Sequence, residues 1–326
     1  MSRLLITGAT GYIGGKLAAF YASSGGRVRL FVRRPERLPA FLKESCEISI
    51  GDITRMGDLR TACQNVAAVI HAAGLLGKWG TPYEVMRQVN VEGVEALMTA
   101  AQAAGVRRIV HLSAGGVTGP LGLKPADETY PPAPVTDYER SKWEGEQRAL
   151  ECARRLQLSL IVVRPTFTYG PGDPHKLNLF RAIRKGRMVF IGDGGSTTHP
   201  VYIDDLLAGI DAALKADADN TVVIVGGERP VTKRELIWGI ADALGVKRPK
   251  IRIPVTLGNI LAGCCETAAK VLYFDPPITY SRVLMMSRNW GYSIRRAREL
   301  LNYHPRVSLE EGLSRTIAWY REHGWL

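Results

Sequence analysis

The sequence is poor in the residues that build disulfide-bonded or metal-bound proteins. Its 326 residues include five cysteines and six histidines. The cysteine number is odd and no pair has the C-x-x-C spacing, so neither a disulfide framework nor a zinc site is indicated. The adjacent Cys264 and Cys265 could be redox-active, although cysteines more often serve as small buried apolar groups.

Long uninterrupted hydrophobic runs are missing as well. A membrane-spanning helix needs roughly 18 or more apolar residues. The closest candidate, PVTLGNILAGCCETAAKVLYF, is interrupted by Asn259, Glu266 and Lys270. The N-terminal run RLLIT is too short for the apolar region of a signal peptide, and glycines follow it at once. We therefore expect a cytoplasmic protein without a membrane span.

Charge is present in excess of one sign, with 43 Lys and Arg against 31 Asp and Glu and a net charge of +12. A basic surface attracts anions such as nucleic acids, acidic membranes or phosphorylated small molecules. The densest basic group comprises Arg282, Arg288, Arg295, Arg296 and Arg298. Because no basic tail or interleaved aromatic stripe accompanies it, nucleic-acid binding is disfavoured, and steering of an anionic cofactor or a solvated face explains the charge.

Short apolar runs alternate with helical patterns through the first part of the chain. Strands built as near-continuous apolar runs and separated by helices are typical of a parallel sheet that is covered on both faces. The predicted strands are 3–7, 28–32, 46–50, 66–72, 107–112, 158–165 and 221–227. The predicted helices are about 11–24, 82–104 and 137–156, with another from about 204.

Composition changes after Pro165, where TFTYGPGDPH and GDGGSTTHP are typical of loops over a site. We predict an α/β fold with a Rossmann-type, doubly wound parallel sheet. Its dinucleotide-binding domain comprises 1–165 with 200–227. A smaller, interleaved substrate-binding lobe comprises 166–199 and 228–326.

A glycine pattern stands between the first predicted strand and the first helix. Gly8, Gly11 and Gly14 form G-x-x-G-x-x-G within LLITGATGYIGGKL. The first glycine permits a tight turn, the second lets the backbone approach a pyrophosphate, and the third lets the helix pack on the sheet. The helix N-terminus then offers N–H groups to the phosphates. This strand–turn–helix context predicts a dinucleotide site.

The residues after the second strand indicate which dinucleotide is bound. An NAD site usually has an acidic residue there, for the ribose hydroxyls. This strand continues as LFVRRPERL, so Arg33 and Arg34 stand where a carboxylate would be. Because a guanidinium matches a 2′-phosphate, the sequence favours NADP(H). Two solvated arginines and binding of NAD(H) are the alternative.

Motifs spread along the chain resemble the extended short-chain dehydrogenase/reductase superfamily, which includes the NAD-dependent epimerases and dehydratases. They are TGATGYIG, GDIT, HAAG, VNVEG, HLSAGGVTG, YERSK, VVRPTFTYGPGD and HPVYIDDL, in family order over about the first 210 residues, and the ending TIAWYREHGWL is also similar. The branch most resembled contains 3β-hydroxysteroid dehydrogenases and dihydroflavonol reductases. The resemblance implies an NAD(P)-dependent dehydrogenase or reductase that interconverts a carbonyl and a secondary alcohol.

The resemblance assigns catalytic roles to three residues. Tyr138 and Lys142 are four apart in DYERSKWEGE and so share one helix face. Tyr138 would be the general acid/base, and the Lys142 ammonium would lower its pKa from about 10. Ser113 would hold the substrate oxygen. The register of SSxxVYG would instead put Ala114 at the serine position, and Thr118 or a backbone donor is then the alternative.

The remaining site residues are also carried over from the family motifs. The implied cofactor-binding residues are Gly8, Thr10, Gly11, Tyr12, Ile13, Gly14, Arg33, Arg34, Asp52, Ile53, Ala72, Ala73, Gly74, Asn90, Lys142, Pro165, Thr166 and Thr168. Weaker substrate-binding candidates are Ala114, Tyr169 and His199. The resemblance implies no metal. It does imply a homodimer that forms through long helices.

The motif HPVYIDDL departs from the pattern of nucleotide-sugar enzymes. Those enzymes often carry an arginine six residues before the first aspartate, and that position here is Thr198. With the apolar segment 254–274, this favours a mainly apolar, steroid-, flavonoid- or aromatic-like small-molecule substrate. The alternatives are an epimerase or dehydratase with a tightly held cofactor and a non-catalytic cofactor sensor. The Tyr138–Lys142 pair argues against the sensor.

Overall fold

The computed structural model describes residues 3–326. Its strands are β1 (Arg3–Thr7), β2 (Val28–Val32), β3 (Glu47–Ile50), β4 (Val66–His71), β5 (Arg108–Leu112), β6 (Ser159–Pro165), β7 (Phe167–Tyr169), β8 (Phe190–Ile191), β9 (Thr197–Thr198), β10 (Pro200–Tyr202), β11 (Thr221–Val225), β12 (Val231–Thr232) and β13 (Arg252–Ile253). Seven of them form one parallel sheet in the order β11-β6-β5-β4-β1-β2-β3. The α/β Rossmann-type prediction is confirmed.

Helices connect these strands and cover both faces of the sheet. They are α1 (Tyr12–Ser23), α2 (Ala40–Ser45), α3 (Met56–Cys63), α4 (Tyr83–Arg87), α5 (Gly93–Ala103), α6 (Asp137–Leu156), α7 (Leu177–Arg184), α8 (Ile203–Lys215), α9 (Lys233–Leu244), α10 (Val255–Leu272), α11 (Tyr280–Ser287), α12 (Arg295–Leu301) and α13 (Leu309–Glu322). One hydrophobic cluster lies between the sheet and α1 and α8, and another between the sheet and α3, α5 and α6. Apolar residues of alternating orientation in each strand feed both clusters.

The predicted helix 82–104 is observed as three consecutive helical segments. Between α4 and α5, residues Gln88–Glu92 form a π-helical turn that buries Asn90 and Val91. A π-helical turn widens the helix locally and is frequent at functional sites. Composition could not reveal this turn, because all three segments have a helical pattern.

The two segments predicted as loops contain short strands. In the first, β7 pairs in parallel with β10; in the second, β9 pairs antiparallel with β12. Two or three residues give no periodic signal, and their partners lie more than thirty residues away along the chain. These pairs fix the loops over the carboxyl ends of β5 and β6.

The C-terminal part adds helices beside this edge of the sheet. Helix α10 packs along α11 and contributes Ala262 to a small cluster with Ile191 and Val283. Within residues 3–326, α10 is the helix that is long and apolar enough to cross a membrane, and 17% of it is buried. Residues 221–225 rejoin the central sheet as β11. The division into a cofactor domain and a substrate lobe stays a prediction.

Candidate active site

The loop from β1 to α1 brings backbone against backbone, with no room for side chains. Gly8 has a φ of +77°, and a Cβ there would lie 2.6 Å from the amide nitrogen of Ala73. A Cβ on Gly14 would lie 2.2 Å from the Gly8 carbonyl oxygen. Glycine is therefore required at both positions, as a close-fitting dinucleotide turn demands.

The first turn of α1 faces a cleft of about 1120 Å³. Gly11 caps the helix without a side-chain hydrogen bond, and Gly11, Tyr12 and Ile13 line the cleft. N–H groups in a first helical turn lack intrahelical partners and carry partial positive charge. This cradle fits a pyrophosphate, so the residues present suit a nicotinamide dinucleotide. Thr10 is exposed on the same loop.

The two arginines that follow β2 face solvent. Arg33 exposes 62% of its side chain, and its guanidinium lies 3.5 Å from the Asp52 carboxylate. Arg34 is exposed as well. Burial alone would raise the Asp52 pKa, but hydrogen bonds from Thr54 and the charge of Arg33 lower it overall. The Arg33 guanidinium is thus largely in solvent and paired at 3.5 Å with Asp52, and Arg34 is exposed beside it.

The segment after β4 lines the cleft, whereas Ile53 does not. Ile53 is buried against Gly93, at the start of α5. The Ala73 amide donates to the Thr7 hydroxyl oxygen at 3.1 Å. Ala72 and Gly74 line the cleft. Small residues here let a ligand lie against the backbone.

Asn90, in the π-helical turn, holds that segment in place. Its side-chain oxygen accepts from the Leu75 amide at 2.7 Å, and its Nδ2 donates to the Leu75 carbonyl oxygen at 3.0 Å. Nδ2 also lies 2.8 Å from the Ser141 hydroxyl of α6. Asn90 thus ties the segment after β4 to α6, and it does not itself line the cleft.

Ser113 follows β5 and lies in the cleft wall. Its amide donates to the Val163 carbonyl oxygen at 2.8 Å, which fixes the backbone between β5 and β6. The side chain is 6% exposed, and its hydroxyl has no hydrogen-bond partner among residues 3–326. A buried polar group usually has a partner, so an unpaired hydroxyl facing a cleft suits a ligand oxygen. Ala114 lines the cleft beside it.

Tyr138 and Lys142 lie on the first turns of α6, and both line the cleft. Thr136 caps the helix: its hydroxyl accepts from the Glu139 amide, and the Glu139 carboxylate accepts from the Thr136 amide. This capping box fixes where the helix begins and therefore where Tyr138 stands. The Lys142 ammonium donates to the Leu112 carbonyl oxygen at 2.6 Å.

A buried ion pair fastens α6 to β6 one turn beyond Lys142. The Arg164 guanidinium donates to both carboxylate oxygens of Glu146, at 2.6 and 2.9 Å. Both side chains are buried, at 3% and 0% exposure. Bidentate geometry holds the two elements in a fixed orientation.

Burial moves Tyr138 and Lys142 toward their neutral forms. It raises the pKa of Tyr138 to about 12, with help from the Glu139 carboxylate. It lowers the pKa of Lys142 to about 8, against the opposing influence of Glu146. The lowering of the Tyr138 pKa expected from Lys142 is wrong for the polypeptide itself, because burial and the Glu139 carboxylate both raise that pKa. Tyr138 is therefore protonated at neutral pH.

Sequence reasoning missed a pair of histidines behind Lys142. His71 and His111 are paired in the β4–β5 register and stack with ring centroids 5.1 Å apart. Burial and the Lys142 charge lower both pKa values, that of His71 to about 3. Both imidazoles are therefore neutral, and they add no positive charge next to the Lys142 ammonium group. No motif signalled this pair, because the register between β4 and β5 is not visible in the sequence.

The far wall of the cleft is formed by loops and by α11. The cleft lining here includes Pro165, Thr166 and Thr168. His199 lines it as well, with its Nε2 2.9 Å from the Gly227 carbonyl oxygen. Larger apolar side chains complete it: Leu76, Trp79, Met285, Trp290 and Tyr292.

The structure places Tyr169 outside the cleft. Its ring packs edge-on against Tyr202, and its hydroxyl donates to the Leu309 carbonyl oxygen at 3.5 Å. Tyr169 is 3% exposed and belongs to the main hydrophobic cluster. Its substrate-binding role was carried over from the motif VVRPTFTYGPGD, but successive residues of a strand point to opposite faces, and Tyr169 points away from the cleft that Thr168 lines.

Known proteins share both this sequence pattern and this fold. The model of the NAD dependent epimerase/dehydratase family matches residues 4–226. The 2-alkyl-3-oxoalkanoate reductase of Stenotrophomonas maltophilia is 29% identical, over 97% of this chain and 98% of its own. The 3beta-hydroxysteroid-dehydrogenase/decarboxylase isoform 1 of Arabidopsis thaliana is 31% identical, over 72% of this chain and 58% of its own.

Among solved structures, the crystal structure of gox2253 superimposes with a TM-score of 0.84. It is 29% identical, and the match covers 100% of both chains. The enzyme class and the branch named from the sequence motifs are therefore confirmed. The chain belongs to the NAD-dependent epimerase/dehydratase family and is an NAD(P)-dependent oxidoreductase of the extended short-chain dehydrogenase/reductase type.

Proposed function

We propose that the protein is an NADP(H)-dependent reductase that interconverts a ketone or aldehyde and a secondary alcohol on a mainly apolar small molecule. One observation carries the proposal: Ser113, Tyr138 and Lys142 line the same cleft as the glycine loop. The proposed catalytic side chains and the proposed cofactor-binding loop thus lie in one cleft. The nicotinamide supplies the hydride when it is bound.

The three side chains have complementary roles in that reaction. The unpaired Ser113 hydroxyl donates a hydrogen bond to the substrate oxygen as negative charge develops on it. Tyr138 donates its proton to the same oxygen, because a pKa of about 12 keeps the phenol protonated. Lys142 lies one helical turn from Tyr138, and its ammonium group holds positive charge in the cleft, anchored to the Leu112 carbonyl oxygen next to Ser113. That charge also stabilises the phenolate that remains after proton transfer.

The proposed preference for NADP(H) rests on Arg33 and Arg34. Both are exposed after β2, and the carboxylate found near them, Asp52, is already paired with Arg33 and Thr54. A 2′-phosphate would meet two guanidinium groups there. The alternative cofactor is NAD(H). Measuring the affinity of the protein for NADPH and for NADH decides between the two cofactors.

The apolar character of the substrate rests on the far wall of the cleft. Leu76, Trp79, Met285 and Trp290 present hydrocarbon and aromatic surface to it. Thr198 occupies the position where nucleotide-sugar enzymes often carry arginine. The names of two relatives, a 2-alkyl-3-oxoalkanoate reductase and a 3β-hydroxysteroid dehydrogenase/decarboxylase, are consistent with alkyl or sterol substrates.

The second candidate function is a nucleotide-sugar epimerase or dehydratase in the same fold. The cleft contains Lys176, Lys270 and Arg282, which supply positive charge for a diphosphate. A panel of sterols, flavonoids, aromatic aldehydes and nucleoside-diphosphate sugars, followed at the NADPH absorbance with product analysis, distinguishes the two. Net oxidation of NADPH by an apolar ketone supports the proposal, and sugar conversion without net cofactor change refutes it.

Cytoplasmic localisation and a homodimer remain predictions from the sequence. Size measurement of the purified protein in solution tests the dimer.

A further inference from the structure

Helix α10 carries an apolar stripe that nothing within residues 3–326 covers. Gly258, Ala262 and Ala269 face the protein. A second stripe follows the i, i+3, i+4 spacing of one helix face and consists of Leu257, Ile260, Leu261, Cys264, Ala268, Val271 and Leu272. Five large side chains of this stripe are 41–69% exposed. Such contiguous exposed surface marks an interaction site.

The stripe continues beyond the end of the helix into two aromatic side chains. Tyr273 is 94% exposed and Phe274 is 40% exposed. Ile251, before the helix, is 62% exposed. A tyrosine next to apolar side chains suits the boundary between water and hydrocarbon, because its ring is apolar and its hydroxyl is polar.

The charge around the stripe is strongly positive. Residues 247–288 contain seven Lys or Arg and two Asp or Glu. Lys250 and Arg252 are exposed just before α10, and Lys270 and Arg282 are exposed near its other end. One acid, Glu266, accepts a hydrogen bond from the Tyr280 amide. An apolar stripe bordered by basic side chains complements anionic lipid headgroups above hydrocarbon.

The way α10 is attached determines how it would meet a bilayer. Gly258 lies against Ile191 and Val283, and α10 packs along α11, so one side of the helix stays in contact with the protein. Crossing a membrane would require those contacts to break. A helix held along one side can instead lie in the plane of the headgroups with its free stripe immersed.

This face adjoins the mouth of the cleft. Lys270 of α10 and Thr279, Arg282 and Met285 around α11 line the cleft, while the stripe occupies the adjoining surface of α10. A membrane against α10 would therefore border the opening through which substrate enters. An apolar substrate dissolved in the bilayer could then reach the cleft along that border.

We propose that α10 is a peripheral membrane-docking helix that seats the protein on an anionic phospholipid bilayer, with the cleft opening at the bilayer surface. Delivery of an apolar substrate from the bilayer rests on the proposed function. Docking itself rests on the stripe and its basic border.

Vesicle co-sedimentation tests the docking directly. The full chain is mixed with vesicles of phosphatidylcholine alone or of phosphatidylcholine and phosphatidylglycerol. We expect binding to the anionic vesicles that weakens with added salt, and little binding to the neutral ones. Equal partition into both kinds of vesicle, or into neither, would overturn the proposal.

Two leucines of equal exposure provide a matched pair of variants. Leu261 on α10 is 42% exposed, and Leu300 on α12, which packs on β11 and α8, is 41% exposed. Leu261→Glu should weaken vesicle binding about tenfold or more, because a carboxylate replaces buried hydrocarbon. Leu300→Glu should leave binding unchanged. Equal effects of the two variants contradict docking through α10.

Two further readouts separate this proposal from its rivals. One rival is that a second copy of the chain covers the stripe. In that case Leu261→Glu dissociates a dimer and the unchanged protein does not bind vesicles, which overturns docking. Turnover of a water-soluble ketone without vesicles reports on the proposed function alone. Vesicle binding without turnover therefore sustains docking while refuting the reductase, and turnover without vesicle binding does the reverse.

Discussion

The Lys142 ammonium donates a hydrogen bond to the carbonyl oxygen of Leu112 at 2.6 Å, which joins α6 to the end of β5. Ser113 is the next residue after Leu112, and Tyr138 lies one turn before Lys142. This bond therefore helps to set where the Ser113 hydroxyl and the Tyr138 phenol stand relative to each other. It also explains how an ammonium group that is 4% exposed is retained in the site.

Tyr138→Phe removes the proposed proton donor and keeps the ring. We expect turnover to fall by about 10²–10⁴-fold, the usual contribution of a general acid. NADPH binding, followed by fluorescence titration, should remain near that of the unchanged protein. Turnover that survives the substitution would contradict the assignment of Tyr138.

Ser113→Ala separates Ser113 from its alternative, Thr118. Ser113 has an unpaired hydroxyl, whereas Thr118 is buried and donates to the Gly115 carbonyl oxygen at 3.1 Å. Loss of a hydrogen bond to a developing oxyanion should lower kcat by about 10²–10³-fold. Thr118→Val should lower thermal stability more than kcat. The opposite pattern would make Thr118 the working donor.

Arg33→Asp tests the choice of cofactor. Replacing a guanidinium by a carboxylate should weaken NADPH by about tenfold to a hundredfold and NADH much less, because NADPH alone carries the 2′-phosphate. Arg37→Asp makes the same charge change at an exposed site nearby and serves as the control. Unchanged affinities in the Arg33 variant, or equal losses in both variants, would argue against the NADP(H) preference.

Lys142→Met should stabilise the fold while it damages catalysis. Burial lowers the Lys142 pKa from 10.5 to about 8, so below pH 8 the folded state holds a charge that it disfavours. Between about pH 8 and 10.5 the unfolded state binds more protons, and stability due to this group rises with pH. The variant should therefore gain about 2 kcal/mol at pH 7, after the loss of one hydrogen bond.

Denaturant unfolding at several pH values measures that gain. It should be largest below pH 8 and should shrink as the pH approaches 10.5, because the unchanged protein then loses the buried charge. A gain that is independent of pH would point to better packing of methionine instead. Turnover is assayed in parallel and should fall.

The Glu146–Arg164 pair should be essential to stability. Glu146→Gln leaves a buried guanidinium without its counter-charge, which typically costs about 3–5 kcal/mol. Replacing both partners, as Glu146→Leu with Arg164→Met, should recover much of that loss, since no isolated charge remains. Unfolding in denaturant gives both values, and a double variant no better than the single one would contradict this explanation.

Much of the fold followed from the sequence because the central strands are continuous apolar runs. The predicted strand 3–7 and helix 137–156 coincide with β1 and α6. Elements set by distant contacts did not follow, such as β7, whose partner β10 lies thirty residues on. The π-helical turn at Asn90 was hidden too, since helical composition does not report hydrogen-bond spacing.

The sequence motifs identified the site residues, but they did not show the burial or the neighbours of those residues. Ser113, Tyr138 and Lys142 were proposed together, and the structure places them around one cleft. The neutral histidine pair, His71 and His111, arises from strand register that the sequence does not display. The direction of the Tyr138 pKa shift required knowledge of its burial.

NADPH oxidation in the presence of an apolar ketone tests the central claim most directly. The unchanged protein and Tyr138→Phe are compared at the same NADPH concentration, and the alcohol product is quantified. We predict one alcohol formed per NADPH oxidised by the unchanged protein and almost none by the variant. Conversion of a nucleotide sugar with no net change in NADPH, alongside inertness toward every ketone, would contradict the account.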